Sequence, residues 1–88
     1  MLKKKHQKTL NAIFARPIQA GLPWADIESL FKALGAELSE GAGSRIRVAL
    51  GHRKAVFHRP HPRKETDKGA LASVRRFLIE LGIRHDEI

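Results

Sequence analysis

The sequence predicts an α+β sandwich, a three-stranded antiparallel sheet with helices packed on one face, plus an extra N-terminal helix. Three observations predict it. Apolar residues recur at helical spacing in three stretches, around Leu10, around Ile27 and around Val74. Between the second and third stretches, Ile46, Val48 and Leu50 alternate with Arg45, Arg47 and Ala49, the period of a half-buried strand. Glycine-bearing turns at Glu40–Ser44 and Gly51–Arg53 flank that strand and bring antiparallel neighbours beside it.

The elements follow in order. Residues 3–15 form a short helix whose Leu10, Ile13 and Phe14 share a face that Leu2 or His6 can extend. It ends before Pro17, which biases Arg16 away from the helical region. Residues 18–22 are a linker. Pro23 suits a first helical position, where its missing donor costs nothing. A second helix runs from Trp24 to Leu34, with Trp24, Ile27, Leu30, Phe31 and Leu34 as its stripe and Gly35 as its stop. On that stripe Trp24 is a core residue rather than a stacking platform. The strands are Ala36–Ser39, Arg45–Leu50 and Lys54–His58, the last ended by Pro60 and Pro62. Residues 63–66 are a loop, and Thr66 or Asp67 caps a final helix from Lys68 to Leu81. Its stripe is Leu71, Val74, Phe77, Leu78 and Leu81. Gly82 ends it, and residues 84–88 are a loose tail.

At 88 residues the chain reads as one domain, 1–88, with the first 20 or so residues as an addition. A chain of this size buries about 60–65% of its unfolded surface, which leaves room for a shallow site and little for a deep pocket. The formal charge of +8 favours polyanionic partners. There is no cysteine, which excludes disulfides and thiolate metal sites and suits a reducing compartment. No apolar run approaches the ~18–20 residues of a membrane span. Lys3, Lys4 and Lys5 are not followed by the apolar stretch of a signal peptide. A cytoplasmic protein without membrane contact is expected.

The charge is concentrated. Residues 41–64 hold seven Lys/Arg and three His and no carboxylate. A strand with one apolar face and one arginine face presents fixed positive charge, and nearby imidazoles allow chemistry on what binds there. Two helices over one sheet face, with the other face solvated and basic, is the arrangement of double-stranded-RNA-binding-like folds, although fold alone does not give function.

An ordered set of residues resembles a known family. Gly43-Ser44, a strand, a tight turn and a second strand lead to His61-Pro62-Arg63-Lys64-Glu65. Lys68-Gly69-Ala70-Leu71 then leads into Val74-Arg75-Arg76-Phe77-Leu78 and Leu81-Gly82-Ile83. With the Leu34-Gly35 helix stop, the set resembles the HicA toxins of bacterial toxin–antitoxin pairs over roughly residues 24–83. The resemblance implies a small ribonuclease, an mRNA interferase that cleaves messenger RNA and arrests growth, held inactive by a cognate HicB antitoxin. The family places a histidine directly after the Gly-Ser pair, and here that position is Arg45. Either catalysis has moved to another residue, or the chain binds RNA with altered or absent cleavage.

RNA cleavage without a metal needs a base for the 2′-hydroxyl proton, a cation for the phosphorane and an acid for the leaving 5′-oxygen. His58 is the first catalytic candidate. Facing the open surface it reaches Arg45 and Arg47; the alternative is a histidine half-packed at the sheet edge. His61 is the second, held between two prolines at the family's His-Pro position; the alternative is a structural ring bonded to a nearby carbonyl. His52 is read as an exposed hairpin tip, and His6 and His85, near the ends, carry no functional signal. His58 and His61 lack a third ligand, so no metal and no cofactor is expected. Arg45, Arg47, Arg59 and Lys64 are candidate phosphate contacts, and Arg53 and Lys54 near the hairpin tip are candidate contacts to an RNA groove. The Gly41–Ser44 turn has no Walker pattern, which argues against nucleotide binding. Two other readings stay open: a non-catalytic RNA-binding module of this fold, and an interaction protein whose basic face docks an acidic partner.

Overall fold

A computed structural model describes residues 2–61 and 63–83. Pro62, and the tail from residue 84 with His85, lie outside the described residues. The elements are α1 (Lys4–Ile13), β1 (Leu22–Pro23), α2 (Trp24–Ala33), β2 (Glu37–Glu40), β3 (Arg45–Leu50), β4 (Arg53–His58), β5 (Glu65–Thr66) and α3 (Lys68–Glu80). Strands β2, β3 and β4 form an antiparallel sheet in that order. The architecture is the expected α+β one, with helices against one side of the three-stranded sheet.

The stripes read from the sequence meet in one hydrophobic cluster. Ile27, Leu30 and Phe31 of α2, Leu71, Val74 and Leu78 of α3, and Ile46 and Val48 of β3 are almost wholly buried. Burying each such side chain contributes about 1.5–3 kcal/mol. Four aromatic rings join helices to sheet. Phe57 of β4 lies 5.9 Å from Trp24 and 5.8 Å from both Phe31 and Phe77, centroid to centroid. Trp24 is a core residue, as expected.

Several boundaries differ from expectation, each for a local reason. Helix α1 stops at Ile13, two residues short of expectation, where the Ala15 amide turns back to the Ala12 carbonyl and a side chain of α3 takes the carbonyls of Ile13 and Ala15. Arg75 of α3 donates from Nε to the Ile13 carbonyl (2.9 Å) and from Nη2 to the Ala15 carbonyl (2.7 Å). Its guanidinium also sits over the Phe14 ring. Strand β2 begins at Glu37 rather than Ala36, because the Ala36 amide folds back onto the Phe31 carbonyl in a glycine-based helix stop at Gly35, φ +97°. Strand β4 begins at Arg53, which pairs with Leu50, so the turn is only Gly51-His52. Gly51 takes φ +59°, the left-handed backbone that a two-residue hairpin requires.

The linker (18–22), Pro23 and the loop (63–66) contain an unexpected ribbon, and Pro23, expected at the first helical position, is instead the N-cap residue of α2, its ψ of 133° extended to continue the ribbon. Leu22 pairs with Thr66 and Pro23 with Glu65, joining the starts of α2 and α3. Two residues per strand are too few to leave a periodic signal. Of the two candidate caps, Asp67 serves α3, accepting the Ala70 amide at 2.7 Å. His6 extends the α1 stripe inward, where it is buried and its Nε2 is 2.9 Å from the Ser29 hydroxyl of α2. With Leu10 and Ile13 also buried, α1 is part of the core.

Candidate functional site

The side of the sheet turned away from the helices carries the candidate site. Along β3, Ile46, Val48 and Leu50 point into the core while Arg45 and Arg47 are exposed. Along β4, Phe57 is buried and Lys54, Val56 and His58 are exposed. Glu37 and Ser39 are exposed on β2. This is the period-2 consequence of a sheet with one buried face.

Register fixes what stands beside what. Arg45 pairs with His58, Arg47 with Val56 and Ala49 with Lys54. On the other flank Ser39 pairs with Arg47 and Glu37 with Ala49. The open face is therefore three rungs, spaced by about 6.8 Å along the strands. The first holds Arg45 and His58. The second holds Ser39, Arg47 and Val56. The third holds Glu37, Ala49 and Lys54.

The first rung is a close pair. The Arg59 amide donates to the Ser44 carbonyl at 2.9 Å, one residue outside the pair on each strand. That pattern makes Arg45 and His58 a non-hydrogen-bonded pair, the kind in which Cα atoms approach to about 4.5 Å and side chains stand closest. A groove of about 380 Å³ lies over the pair, lined by Gly41, Ala42, Arg45, Arg47, Val56 and His58. Arg47 is steadied there by donating to the Glu40 carbonyl at 3.3 Å. A second groove of about 490 Å³ continues over the other rungs, lined by Glu37, Ser39, Arg47, Ala49, Lys54 and Val56 among others.

The remaining sequence candidates stand elsewhere. Arg59 and Arg53, read as RNA contacts, are on the helix side of the sheet and are engaged by carboxylates. Arg59 donates from Nε and Nη2 to Glu28 (2.7 and 3.2 Å) and from Nη1 to Glu40 (2.6 Å). Glu28 also accepts from the Trp24 indole. These bonds hold Arg59 protonated more firmly than a free guanidinium. The hydrogen bond from Arg59 in turn holds the Glu40 carboxyl below its ordinary range. The group ties the end of β4 to α2 and β2, one residue from His58. Arg53 pairs with Glu80 of α3 at 2.5 Å. His61 is exposed at a bend beyond Pro60. Lys64 lies by the first turn of α2, where its carbonyl accepts the Trp24 amide. There it lines a separate groove with Trp24, Arg59, Pro60 and Arg63.

Sequence reasoning missed Glu37, Ser39 and Val56 as members of the face. The alternation Lys54–Val56–His58 carried the signal for Val56. It missed the Glu28–Arg59–Glu40 group, whose members are far apart in the chain and leave no local pattern. Among the described residues no group of three or more His, Asp or Glu is arranged to hold a metal ion. No helix among them is long and apolar enough to cross a membrane.

Searches of curated proteins and of solved structures return no match. A family model, described as the HicA toxin of bacterial toxin–antitoxin, matches residues 24–83, from the first residue of α2 to just beyond α3. With most of its length matched and the sheet and two helices in the expected order, the chain belongs to the HicA toxin family, the toxin side of a toxin–antitoxin pair whose other member is an antitoxin.

Proposed function

We propose that the protein is a cytoplasmic, metal-independent endoribonuclease of a type II toxin–antitoxin system, cleaving messenger RNA and restrained by a HicB-type antitoxin. The observation that carries the reading is the Arg45–His58 pair. The position that holds a histidine in the resembled family is Arg45 here, and its direct cross-strand neighbour is a histidine on the same open face. An imidazole is thus retained at the same rung, supplied by the other strand.

The chemistry follows from the placement. RNA lies along the cationic face with a phosphate over the first rung. His58 accepts the proton of the adjacent 2′-hydroxyl as its oxygen attacks phosphorus. Arg45 and Arg47 offset the charge that develops on the phosphorane oxygens. The bond to the 5′-oxygen breaks, and the imidazolium returns its proton to that oxygen. The products are a 2′,3′-cyclic phosphate and a free 5′-hydroxyl. His61, outside the face, has no part in this sequence. Arg59 braces the strand end that carries His58, and Lys54 extends the phosphate path.

The test is a labelled messenger RNA incubated in chelator at neutral pH with the parent protein and with His58→Ala. Cleavage by the parent alone supports the reading. Equal cleavage by both variants removes His58 from catalysis, and His61→Ala then becomes the next variant. RNA binding without any cleavage favours the second reading, a binding module in which Arg45 marks a lost catalytic position.

A further inference from the structure

The second and third rungs are not explained by phosphate binding. A face selected only for polyanions would not place an exposed valine in its middle rung and a carboxylate at its opposite flank. Val56 is 54% exposed, one of two large apolar side chains so exposed among the described residues. Glu37 is exposed and stands on the sheet face two residues from Ser39. Between them lie Ala49 and the rest of the groove of about 490 Å³, within the size range of small-ligand sites.

We propose that this groove is a nucleobase subsite that selects guanine beside the cleaved phosphate. The proposal rests on the RNA-cleaving reading above and deepens it. Val56 and Ala49 give an apolar floor against which the flat face of an unstacked base can lie, as single-stranded RNA recognition requires. Arg47, shared by both grooves, and Lys54 hold the flanking phosphates. Glu37 sets the identity of the base. A carboxylate only accepts hydrogen bonds, and it accepts two side by side. Guanine alone among the four bases presents two adjacent donors, N1–H and the N2 amino group. Cytosine and adenine each offer an amino donor beside a ring acceptor. Uracil flanks its single N–H with two carbonyls, which a carboxylate repels. Ser39, next along β2, supplies a hydroxyl to the remaining guanine oxygen.

The experiment measures binding rather than cleavage. Four labelled 2′-O-methyl RNA hexamers, resistant to cleavage, carry G, A, C or U at one central position in a uracil background. Affinities are measured by fluorescence anisotropy at fixed salt for the parent and for Glu37→Gln. The substitution lies at an exposed position on an edge strand, and circular dichroism checks that the fold is kept. The parent is expected to bind the G hexamer about tenfold more tightly than the U hexamer, the discrimination of one good bidentate contact. Glu37→Gln is expected to bring the four affinities together. Equal binding of all four by the parent overturns the base subsite and leaves the RNA reading standing. A guanine preference that survives Glu37→Gln overturns the role of Glu37 and with it the proposal. No binding to any hexamer overturns both the proposal and the RNA reading beneath it.

Discussion

If His58 stands in for a histidine on the neighbouring strand, exchanging the two members of the pair should preserve some activity. The perturbation is Arg45→His combined with His58→Arg, compared with His58→Ala. Losing a positioned acid–base group costs about 10²–10⁴-fold in rate, which is the drop expected for His58→Ala. The exchange moves the imidazole anchor across a non-hydrogen-bonded pair, about 4.5 Å between Cα atoms, while both side chains still overlook the same groove. Misplacement by 1 Å can cost about 10²-fold, so full recovery is not expected. The exchanged protein should cleave at least about tenfold faster than His58→Ala. The control is Lys54→His in the His58→Ala background. Position 54 lies on the same face but four residues along β4, about 13 Å away, and should rescue nothing. All positions are exposed, so folding should change by no more than about 0.5 kcal/mol. The assay is the initial rate on a labelled RNA in chelator, with anisotropy confirming that each variant binds. An exchanged protein that is folded, binds RNA and is no faster than His58→Ala refutes the argument. So does equal rescue from position 54.

Three further outcomes are expected. RNA affinity should fall with salt on a logarithmic slope near about −2, from three contacts at about 0.7 each, and alanine at Arg45, Arg47 or Lys54 should remove about 0.7 from it. Arg53→Ala should leave that slope alone, because Arg53 is paired with Glu80 on the other side of the sheet. Leu10→Ala should destabilise the protein by about 2–5 kcal/mol in urea unfolding, since Leu10 is 1% exposed; a change under about 0.5 kcal/mol would mean that α1 is not docked in solution. Glu40 has its carboxyl held below the ordinary value of 4.5 by Arg59, so it binds fewer protons folded than unfolded below that pH. The stability it adds is present above about pH 4.5 and is lost as pH falls through the lowered value. Glu40→Gln should therefore flatten the acid side of the stability profile, read as urea midpoints at pH 6 and pH 3. An unchanged profile would show that the ion pair contributes nothing.

What the sequence disclosed and what it withheld divide along physical lines. Periodic features were legible: the α2 and α3 stripes, the alternation of β3, and the basic face that follows from it. The position of Trp24 in the core was legible because it shares a stripe with Ile27 and Phe31. The orientation of His58 was not. It depends on the β3–β4 register, and register depends on whether the turn holds two residues or three. Reading Arg53 as part of the turn left open the question that the Leu50–Arg53 pair closes. Arg59 shows the other limit. Its charge marked it as a phosphate contact, but its partners Glu28 and Glu40 lie 31 and 19 residues away, and no local pattern announces them. The α1 stripe allowed His6 to face inward, but its partner Ser29 was withheld similarly, being 23 residues distant.

The arrangement also decides how freely the site can vary. In β3 and β4 the core residues and the face residues alternate one by one, so the backbone that buries Ile46, Val48 and Phe57 is the same backbone that presents Arg45, Arg47 and His58. The two sets share a scaffold but not contacts. A substitution on the open face alters chemistry at little cost to folding, whereas a one-residue slip in register would turn the open-face cations inward and the core residues out. The buried set therefore holds the register with a large energetic penalty against slipping, and the exposed set is free to exchange residues across a rung. On the function proposed above, arginine at position 45 with histidine at position 58 is an exchange of that permitted kind, one that leaves the ladder untouched and supplies the imidazole from the neighbouring strand.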